Sequence, residues 1–233
     1  APPSPFLRTV PVTMDKKAAL TILTVLMLLA AAAATGADQM QLTSDTLQYD
    51  PSGGAVFASG HVKVVGRGAE ITSEEGEFDP TGAHSLFRKN VLARWPEGRL
   101  TMDCDEMIVE ETPRGQKIIA RKVTRFHDPA RKVTVRAETV EGFVVGGVFT
   151  EFDARGDVVA DAVAPDGEPT RVSGGRSRYS RDRQTLEFTG WAVGVQKNRR
   201  ITADTFIVHL ESGKIEAVGN PRMEVDLPPQ EVQ

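Results

Sequence analysis

A six-residue pattern recurs six times along this chain and constrains its fold more than any other feature. Each copy runs apolar, any residue, small, acidic or polar, any residue, apolar. The copies begin at positions 42, 71, 102, 135, 172 and 201, so their spacings are 29, 31, 33, 37 and 29 residues. A period in this range is typical of stacked supersecondary units, none of which buries its apolar face alone. The sequence therefore predicts a repeat architecture.

The segments that carry these copies have the pattern of strands. Apolar and polar residues alternate in short runs separated by Gly, Pro, Asp and Asn, and no stretch shows a helical period. Two of the turns, at residues 50–53 and 79–82, share the sequence Asp-Pro-x-Gly, which favours a tight reversal. We expect an all-β domain over residues 38–227, with about twelve strands built as hairpin repeats.

The two apolar ends of the pattern lie five residues apart, as in Val135 and Val140. In a regular strand such residues point to opposite faces of the sheet. Either both faces are covered, or a β-bulge at the small-acidic step returns the second residue to the first face. We favour the bulge, because the small residue makes room and the acid can cap exposed N–H groups. A sheet that bends repeatedly at one level is expected to curl.

The N-terminal part of the chain has the composition of a secretion signal. Met14 is followed by Lys16, Lys17, an apolar run and small residues through Ala37, so residues 14–37 are predicted to direct export and to be cleaved. An uncleaved membrane anchor is the alternative, although the apolar run is shorter than the roughly 20 residues of a spanning helix. Residues 1–13 are interpreted as a non-native or mis-called extension, and residues 228–233 as a C-terminal tail.

Charge and cysteine content exclude several classes of protein. The net charge is −4, and charges of both signs are interspersed, whereas nucleic-acid binding requires a basic stripe. Cys104 is the only cysteine, so the exported domain has no internal disulfide and must be held together by its apolar core. No nucleic-acid partner is expected.

Catalytic signals are weak. The four histidines His61, His84, His127 and His209 are isolated, and no metal-binding or nucleophile motif accompanies them. Asp103 and Asp105 lie two apart on a predicted strand and so point to one face, where they could resemble a carboxylate pair for glycoside hydrolysis. The acid at position 105 recurs in the other copies, however, which favours an architectural role. We expect no enzyme activity, no metal and no cofactor.

The densest positive run extends from Lys117 to Lys132. Its simplest interpretation is the solvated face of a strand. The alternative is a contact with phosphates of an anionic glycolipid. The sequence alone leaves both interpretations open.

Apolar stripes remain as the strongest candidate for function. Most of their members are aliphatic or Phe, and only two Trp and two Tyr occur in the chain, so stacking platforms for sugars or bases are scarce. An apolar groove of this composition suits an acyl chain better than a saccharide. The residues predicted to face one interior and to form a lipid-binding groove are Val62, Val64, Val91, Ile108, Ile118, Val123, Phe126, Val135, Phe188, Val193, Phe206 and Val208.

The first and last repeats carry a family resemblance. The run Leu42-Thr-Ser-Asp-Thr-Leu-Gln-Tyr-Asp50, then Ala58-Ser-Gly-His-Val62 and Ile71-Thr-Ser-Glu74, resembles the OstA-like domain of periplasmic lipopolysaccharide-transport proteins. LptA, LptC and the N-terminal domain of LptD belong to this family. The small-Asp step recurs as Thr202-Ala-Asp-Thr-Phe206, and Pro221 stands where the return valine would be. A proline at that place indicates an edge strand.

The resemblance implies a β-jellyroll folded as an open V of two antiparallel sheets, with no catalytic residues. It implies a periplasmic carrier that shields the acyl chains of lipid A and passes lipopolysaccharide from the inner to the outer membrane. The implied partners are lipopolysaccharide, further copies of the chain stacked end to end, an LptC-like inner-membrane protein and an LptD-like outer-membrane protein.

Unclosed sheets leave edge strands that template strand addition, so residues 42–49 and 201–225 are the expected docking ends. Two alternatives stay open: an LptC-type relative anchored in the inner membrane, and a structural β-repeat protein of the envelope without ligand. A polysaccharide-active enzyme would need a carboxylate pair across a polar, aromatic groove, which the sequence does not show.

Overall fold

The computed structural model describes residues 40–97, 99–163 and 167–226. The predicted extension 1–13, the predicted signal 14–37 and the tail 228–233 lie outside these residues. Every regular element in the described part is a β-strand. No helix within it is long and apolar enough to cross a membrane.

Fourteen antiparallel strands form one open sheet whose order follows the chain, so that each strand from β3 to β12 pairs with its predecessor and its successor. The strands are β1 (Gln41–Thr43), β2 (Thr46–Tyr49), β3 (Val56–Gly66), β4 (Ala69–Phe78), β5 (His84–Trp95), β6 (Leu100–Thr112), β7 (Gly115–Asp128), β8 (Val133–Val145), β9 (Val148–Val163), β10 (Pro169–Ser180), β11 (Thr185–Gln196), β12 (Arg199–His209), β13 (Ile215–Val218) and β14 (Arg222–Val225).

The first and last positions of the sheet explain why about twelve strands were predicted and fourteen are found. β1 and β2 both pair with β3, and β13 and β14 both pair with β12. Each pair is a single edge position interrupted at the bend. An interior strand has hydrogen-bonded neighbours on both sides to carry it through the bend, whereas an edge strand has one.

These pairings also correct one prediction. Only β1 and β2 at one end and β13 and β14 at the other form edges, whereas Ile201 lies in β12, between β11 and the final strands. Pro221 separates β13 from β14 at the edge, as its position in the sequence predicted.

Every pairing from β3 through β12 shifts register near the middle of its strands, at the level of the repeated pattern. The sheet bends there into two halves. Layer A comprises β1, β14 and the strand segments that end at the turns near Arg67, Lys132 and Lys197. Layer B comprises β2, β13 and the segments that end at the turns near Gly82 and Gln184. The two layers face each other, which confirms the open β-jellyroll.

A β-bulge is confirmed at this bend, but its predicted position in the strand that carries the pattern is wrong. Both ends of the pattern are buried in the same core in Met102 and Met107 and again in Val135 and Val140. The extra residue, however, lies on the strand that follows the pattern. Residues Ser59 to Val62 of β3, for example, lie opposite the shorter span of β4 from Glu75 to Ser73.

Consecutive residues with positive φ make these bulges. Gly60 and His61 have φ values of 72° and 48°, and Gly190 and Trp191 have values of 80° and 57°. Such left-handed residues turn the chain without a break in pairing. Lys89–Asn90, Gly156–Asp157 and Gly219–Asn220 repeat the arrangement in other repeats.

The repeated acids hold the bend through side chains. Asp45 contacts His61 Nδ1 at 2.8 Å, Asn90 donates to Glu74 at 2.6 Å, and Lys122 donates to Asp105 at 2.9 Å. The expectation that these acids cap backbone N–H groups is therefore wrong in the described part of the chain. Their partners are instead the left-handed residues of the next strand, a correspondence that is visible only once the strands are paired.

Gly156 and Gly146 offer a matched test of the bend. A Cβ at Gly156, where φ is 78°, would meet Glu138 Cγ at 2.3 Å, whereas one at Gly146, where φ is 56°, would meet nothing within 4 Å. We expect Gly146→Ala to lower the free energy of unfolding by about 1–2 kcal/mol, from backbone strain alone. Gly156→Ala should lower it by a further ~1–3 kcal/mol from overpacking. Urea unfolding followed by circular dichroism measures both, and equal losses would contradict the proposed packing of Glu138.

Candidate ligand-binding interior

The space between layers A and B is lined by apolar side chains from nearly every strand. Aromatic rings join the layers at its centre. Trp95 and Phe126 of layer A contact Phe149 of layer B, with ring centroids 4.9 and 5.1 Å apart, and Phe126 also contacts Phe152 at 5.2 Å. Edge-to-face rings of this kind fill space tightly and resist sliding. They join the two layers at the middle of the interior.

Three openings follow one another along the mouth where the turns of the two layers meet. The first, of about 30 Å³, is lined by Val64, Trp95 and Ile118, among others. The central opening, of about 240 Å³, has a floor that includes Phe126 and Phe149. The third, of about 80 Å³, is lined by residues of the C-terminal strands. The central opening approaches the ~300 Å³ lower limit typical of small-molecule sites.

Ion pairs and hydrogen bonds between turns separate these openings. Arg67, at a turn of layer A, pairs with Glu111 of layer B and donates to the Gly82 carbonyl at 3.2 Å. Arg131 donates to Gln184 across the mouth at 3.1 Å. These contacts are polar and partly exposed, so each stabilises the closed mouth only modestly.

Ten of the twelve residues predicted to face the interior do so. Two line each opening: Val64 and Ile118 the first, Phe126 and Val135 the central one, and Phe188 and Val208 the third. Val62, Val91, Val123 and Phe206 are buried in the core away from these openings.

Ile108 and Val193 do not face the interior, so their prediction as interior residues is wrong. Ile108 alternates with Met107 and Val109, which pack in the core, and Val193 follows the buried Ala192. Side-chain direction alternates along a strand, so both residues lie on the outer face. On the strands after the pattern, the buried residues that flank the bend are four apart, as in Phe188 and Ala192, and not five.

Several lining residues were not predicted from the sequence. Trp95, Phe149, Phe152, Tyr179, Leu186 and Leu210 line the openings. Phe152 and Tyr179 stack with ring centroids 5.2 Å apart. Burial raises the pKa of Tyr179, and the nearby cations Arg131 and Arg181 oppose that rise. Phe149 and Phe152 alternate with less buried neighbours, which was a usable signal. They follow Gly146 and Gly147, however, and these glycines made the register of this hairpin uncertain from the sequence.

At both ends of the sheet, side chains that point inward are exposed because no further strand among the described residues covers them. Leu47 and Tyr49 at the first edge are 55% and 46% exposed, and Met223 and Val225 at the last edge are 61% and 45% exposed. The interior is therefore exposed to solvent at both edges of the sheet. Within residues 40–97, 99–163 and 167–226, the outer side of these edge strands pairs with no further strand, so its backbone groups are available to a partner.

Most cations of the basic run Lys117–Lys132 form ion pairs on the outer face of the sheet. Lys117 contacts Glu141 at 2.9 Å, Lys122 contacts Asp105 at 2.9 Å, and Arg121 pairs with Glu106. These contacts support the interpretation of Lys117–Lys132 as a solvated strand face for most of its length. Arg131 is the exception, since it lies at the mouth.

No chemistry-bearing cluster accompanies the interior in the described residues. Asp103 lies 4.0 Å from Arg125, so both acids of the candidate carboxylate pair face cations of the next strand. No group of three His, Cys, Asp or Glu side chains in residues 40–97, 99–163 and 167–226 is arranged to hold a metal ion. Burial, with the nearby charges of Asp103 and Asp105, raises the pKa of Cys104 to about 12.

The fold and the interior together define an all-β protein in which one open sheet bends over an apolar space and leaves unpaired edges at both ends. Residues 70–214, more than half of the chain, match the family described as LptA/(LptD N-terminal domain) LPS transport protein. The chain belongs to this family of transport proteins, as the resemblance of its repeats indicated.

The chain is similar to the crystal structure of LptH from Pseudomonas aeruginosa, described as the LptA homologous periplasmic component of the lipopolysaccharide transport device. Sequence identity is 10%, the TM-score is 0.31, and the match covers 82% of this chain and 95% of LptH. No significant match to this chain was found among the curated proteins.

Proposed function

We propose that this chain carries lipopolysaccharide through the periplasm and holds the acyl chains of lipid A between layers A and B. The observation that carries the proposal is the apolar interior, which opens along the mouth and at both edges. Membership of a lipopolysaccharide-transport family supports the choice of ligand. The predicted export signal at residues 14–37 supports the compartment.

The energetics suit a carrier with apolar walls. Burial of one methylene group yields about 0.8 kcal/mol, so a chain of twelve carbons gives roughly 9 kcal/mol before ordering costs. Contacts of this kind have no directional preference. An acyl chain can therefore pass to a similar neighbouring interior, while directional flow draws its energy from elsewhere.

The open edges suit assembly in a row. We infer that the first edge of one copy pairs with the last edge of the next, so that the exposed inward side chains of both become covered. LptC-like and LptD-like partners with the same edges would extend the row toward the inner and outer membranes. Backbone pairing across such edges is a common mode of recognition.

Photo-crosslinking tests the ligand and the interior together. A photoreactive residue at Val64, Phe126 or Val208, one for each opening, should capture lipopolysaccharide in cells. The same residue at Lys63, which alternates with the buried Val62 and Val64, serves as the outward control and should capture none. Capture at Lys63 alone would overturn the proposal. Lipid extraction and mass spectrometry of the gently purified protein provides an independent measurement.

The two other envelope roles give different results. A structural β-repeat protein without ligand would yield neither crosslinks nor co-purified lipid. An LptC-type anchored relative would yield crosslinks, but the native protein would require detergent for release from membranes.

A further inference from the structure

The rim of the central opening carries a group of hydrogen-bond donors above an apolar floor. Arg131 lies at the turn between β7 and β8 of layer A, and Arg181 lies at the facing turn between β10 and β11 of layer B. Tyr179 lines the same opening and stacks on Phe152. Both guanidinium groups lie close enough to influence the Tyr179 hydroxyl electrostatically.

Much of this donor capacity is unused in the described part of the chain. Arg131 donates to Asp128 at 2.6 Å and to Gln184 at 3.1 Å, which leaves three of the five N–H groups of a guanidinium free. The Arg181 side chain is exposed and forms no ion pair there, and the Tyr179 hydroxyl has no hydrogen-bond partner there.

Two carboxylates, Asp128 and Glu97, line the central opening with this group, and Asp182 and Glu211 lie near enough to act on the pKa values of Tyr179 and Arg131. Asp128 is bound within its own turn, where it accepts from the Ala130 and Arg131 N–H groups at 3.0 and 3.1 Å as well as from the Arg131 side chain. Glu97 lies near Gly147 at the β5–β6 turn. That turn is two strand spacings, or about 10 Å, from the turn of Arg131.

We propose that Arg131, Arg181 and the Tyr179 hydroxyl bind the phosphomonoester head group of an anionic amphiphile whose alkyl chain lies on Phe126, Phe149 and Phe152. The donors come from both layers and from the Tyr179 hydroxyl, so they approach a ligand from several directions. A tetrahedral phosphate with three acceptor oxygens fits this arrangement better than a planar carboxylate does. Guanidinium groups bind phosphate through paired, charge-assisted hydrogen bonds. The inference rests on the proposed function, since it requires the interior to accept an alkyl chain, and it adds the position and chemistry of the head group.

Titration calorimetry with dodecyl phosphate and dodecyl maltoside, both below their micellar concentrations, tests the site. The two probes share the alkyl chain and differ in head-group charge. The full chain should bind dodecyl phosphate about tenfold or more tightly than dodecyl maltoside, and added salt should narrow the difference. Arg181→Gln should remove most of the preference for phosphate and leave the affinity for dodecyl maltoside unchanged.

Arg183→Gln is the matched control. Arg183 lies two residues away on the same turn and lines a neighbouring cleft beside Tyr179 and Phe152, but it does not line the central opening, so its loss should leave both affinities unchanged. An equal effect of the two variants, or no effect of Arg181→Gln, would overturn the head-group site while leaving the apolar interior intact.

Dodecanoate serves as a third probe and tests the choice of phosphate. Affinity equal to that of dodecyl phosphate, with the same loss in Arg181→Gln, would overturn the assignment to a phosphomonoester. Absence of binding by every probe would overturn the proposed function and the head-group site together. Weak dodecanoate binding beside strong dodecyl phosphate binding supports the site as proposed.

Discussion

Trp95→Ala should lower the free energy of unfolding by about 3–5 kcal/mol. Trp95 is fully buried, and its ring lies 4.9 Å from that of Phe149, at an interplanar angle of 80°. The substitution removes the largest buried side chain from the contact between the layers and leaves a cavity. For a domain of this size, such a loss corresponds to a fall in melting temperature of about 6–20 °C. Thermal unfolding followed by circular dichroism measures the change.

The chain provides its own control in Trp191. Its side chain is 93% exposed, and its φ of 57° places alanine and tryptophan under similar backbone strain. Trp191→Ala should therefore change the free energy of unfolding by less than ~0.5 kcal/mol. A double-mutant cycle between Trp95 and Phe149 should show coupling of about 0.5–1.5 kcal/mol. A loss for Trp95→Ala no larger than that for Trp191→Ala would contradict the packing of the two layers.

Lysine at either edge should abolish end-to-end association. Ile215→Lys places a charge on β13 and Leu47→Lys places one on β2, at positions that are 39% and 55% exposed in the single chain. Each monomer should fold normally because the new charge remains in water. In an assembled row the charge would be covered without a partner, which is costly. Light scattering at increasing protein concentration should show a fall of at least tenfold in the association constant.

A mixture of the two edge variants distinguishes head-to-tail pairing from other contacts. The Ile215→Lys protein retains an intact first edge, and the Leu47→Lys protein retains an intact last edge. The two should therefore form a dimer when mixed, although neither associates alone and the dimer cannot grow. Trp191→Lys, which adds a charge at the bend, should leave association unchanged. Unaltered association of the Ile215→Lys and Leu47→Lys proteins would contradict assembly through the edges.

The fold was readable from the sequence because the repeats are short and local. Each hairpin is encoded within about thirty residues, and turns such as Asp79-Pro-Thr-Gly82 lie where the structure has them. The bend was also visible in the sequence. Val135 and Val140 are an odd number of residues apart, so they could not share one face of a regular strand. What the pattern did not reveal is that the bulge belongs to the following strand, in pairs such as Gly60 and His61.

The residues that line the interior were harder to predict from the sequence, because their direction depends on the number of residues in each bend. Ile108 and Val193 were assigned to the interior because they are apolar, but side-chain direction after a bend depends on how many residues the bend contains. That number differs between the strand with the pattern and the strand after it, and only the pairing register shows it. The rim donors Arg131 and Arg181 lie fifty residues apart in the chain and meet only where turns of the two layers face each other.

The sequence by itself determined the all-β class, the repeat and the level at which the sheet bends, because alternation and turn chemistry act over a few residues. The tertiary structure alone decided which apolar side chains line openings, which cations remain unpaired and where the interior is left uncovered. These properties depend on the contact between layers A and B, which joins residues distant in the chain and leaves no local pattern.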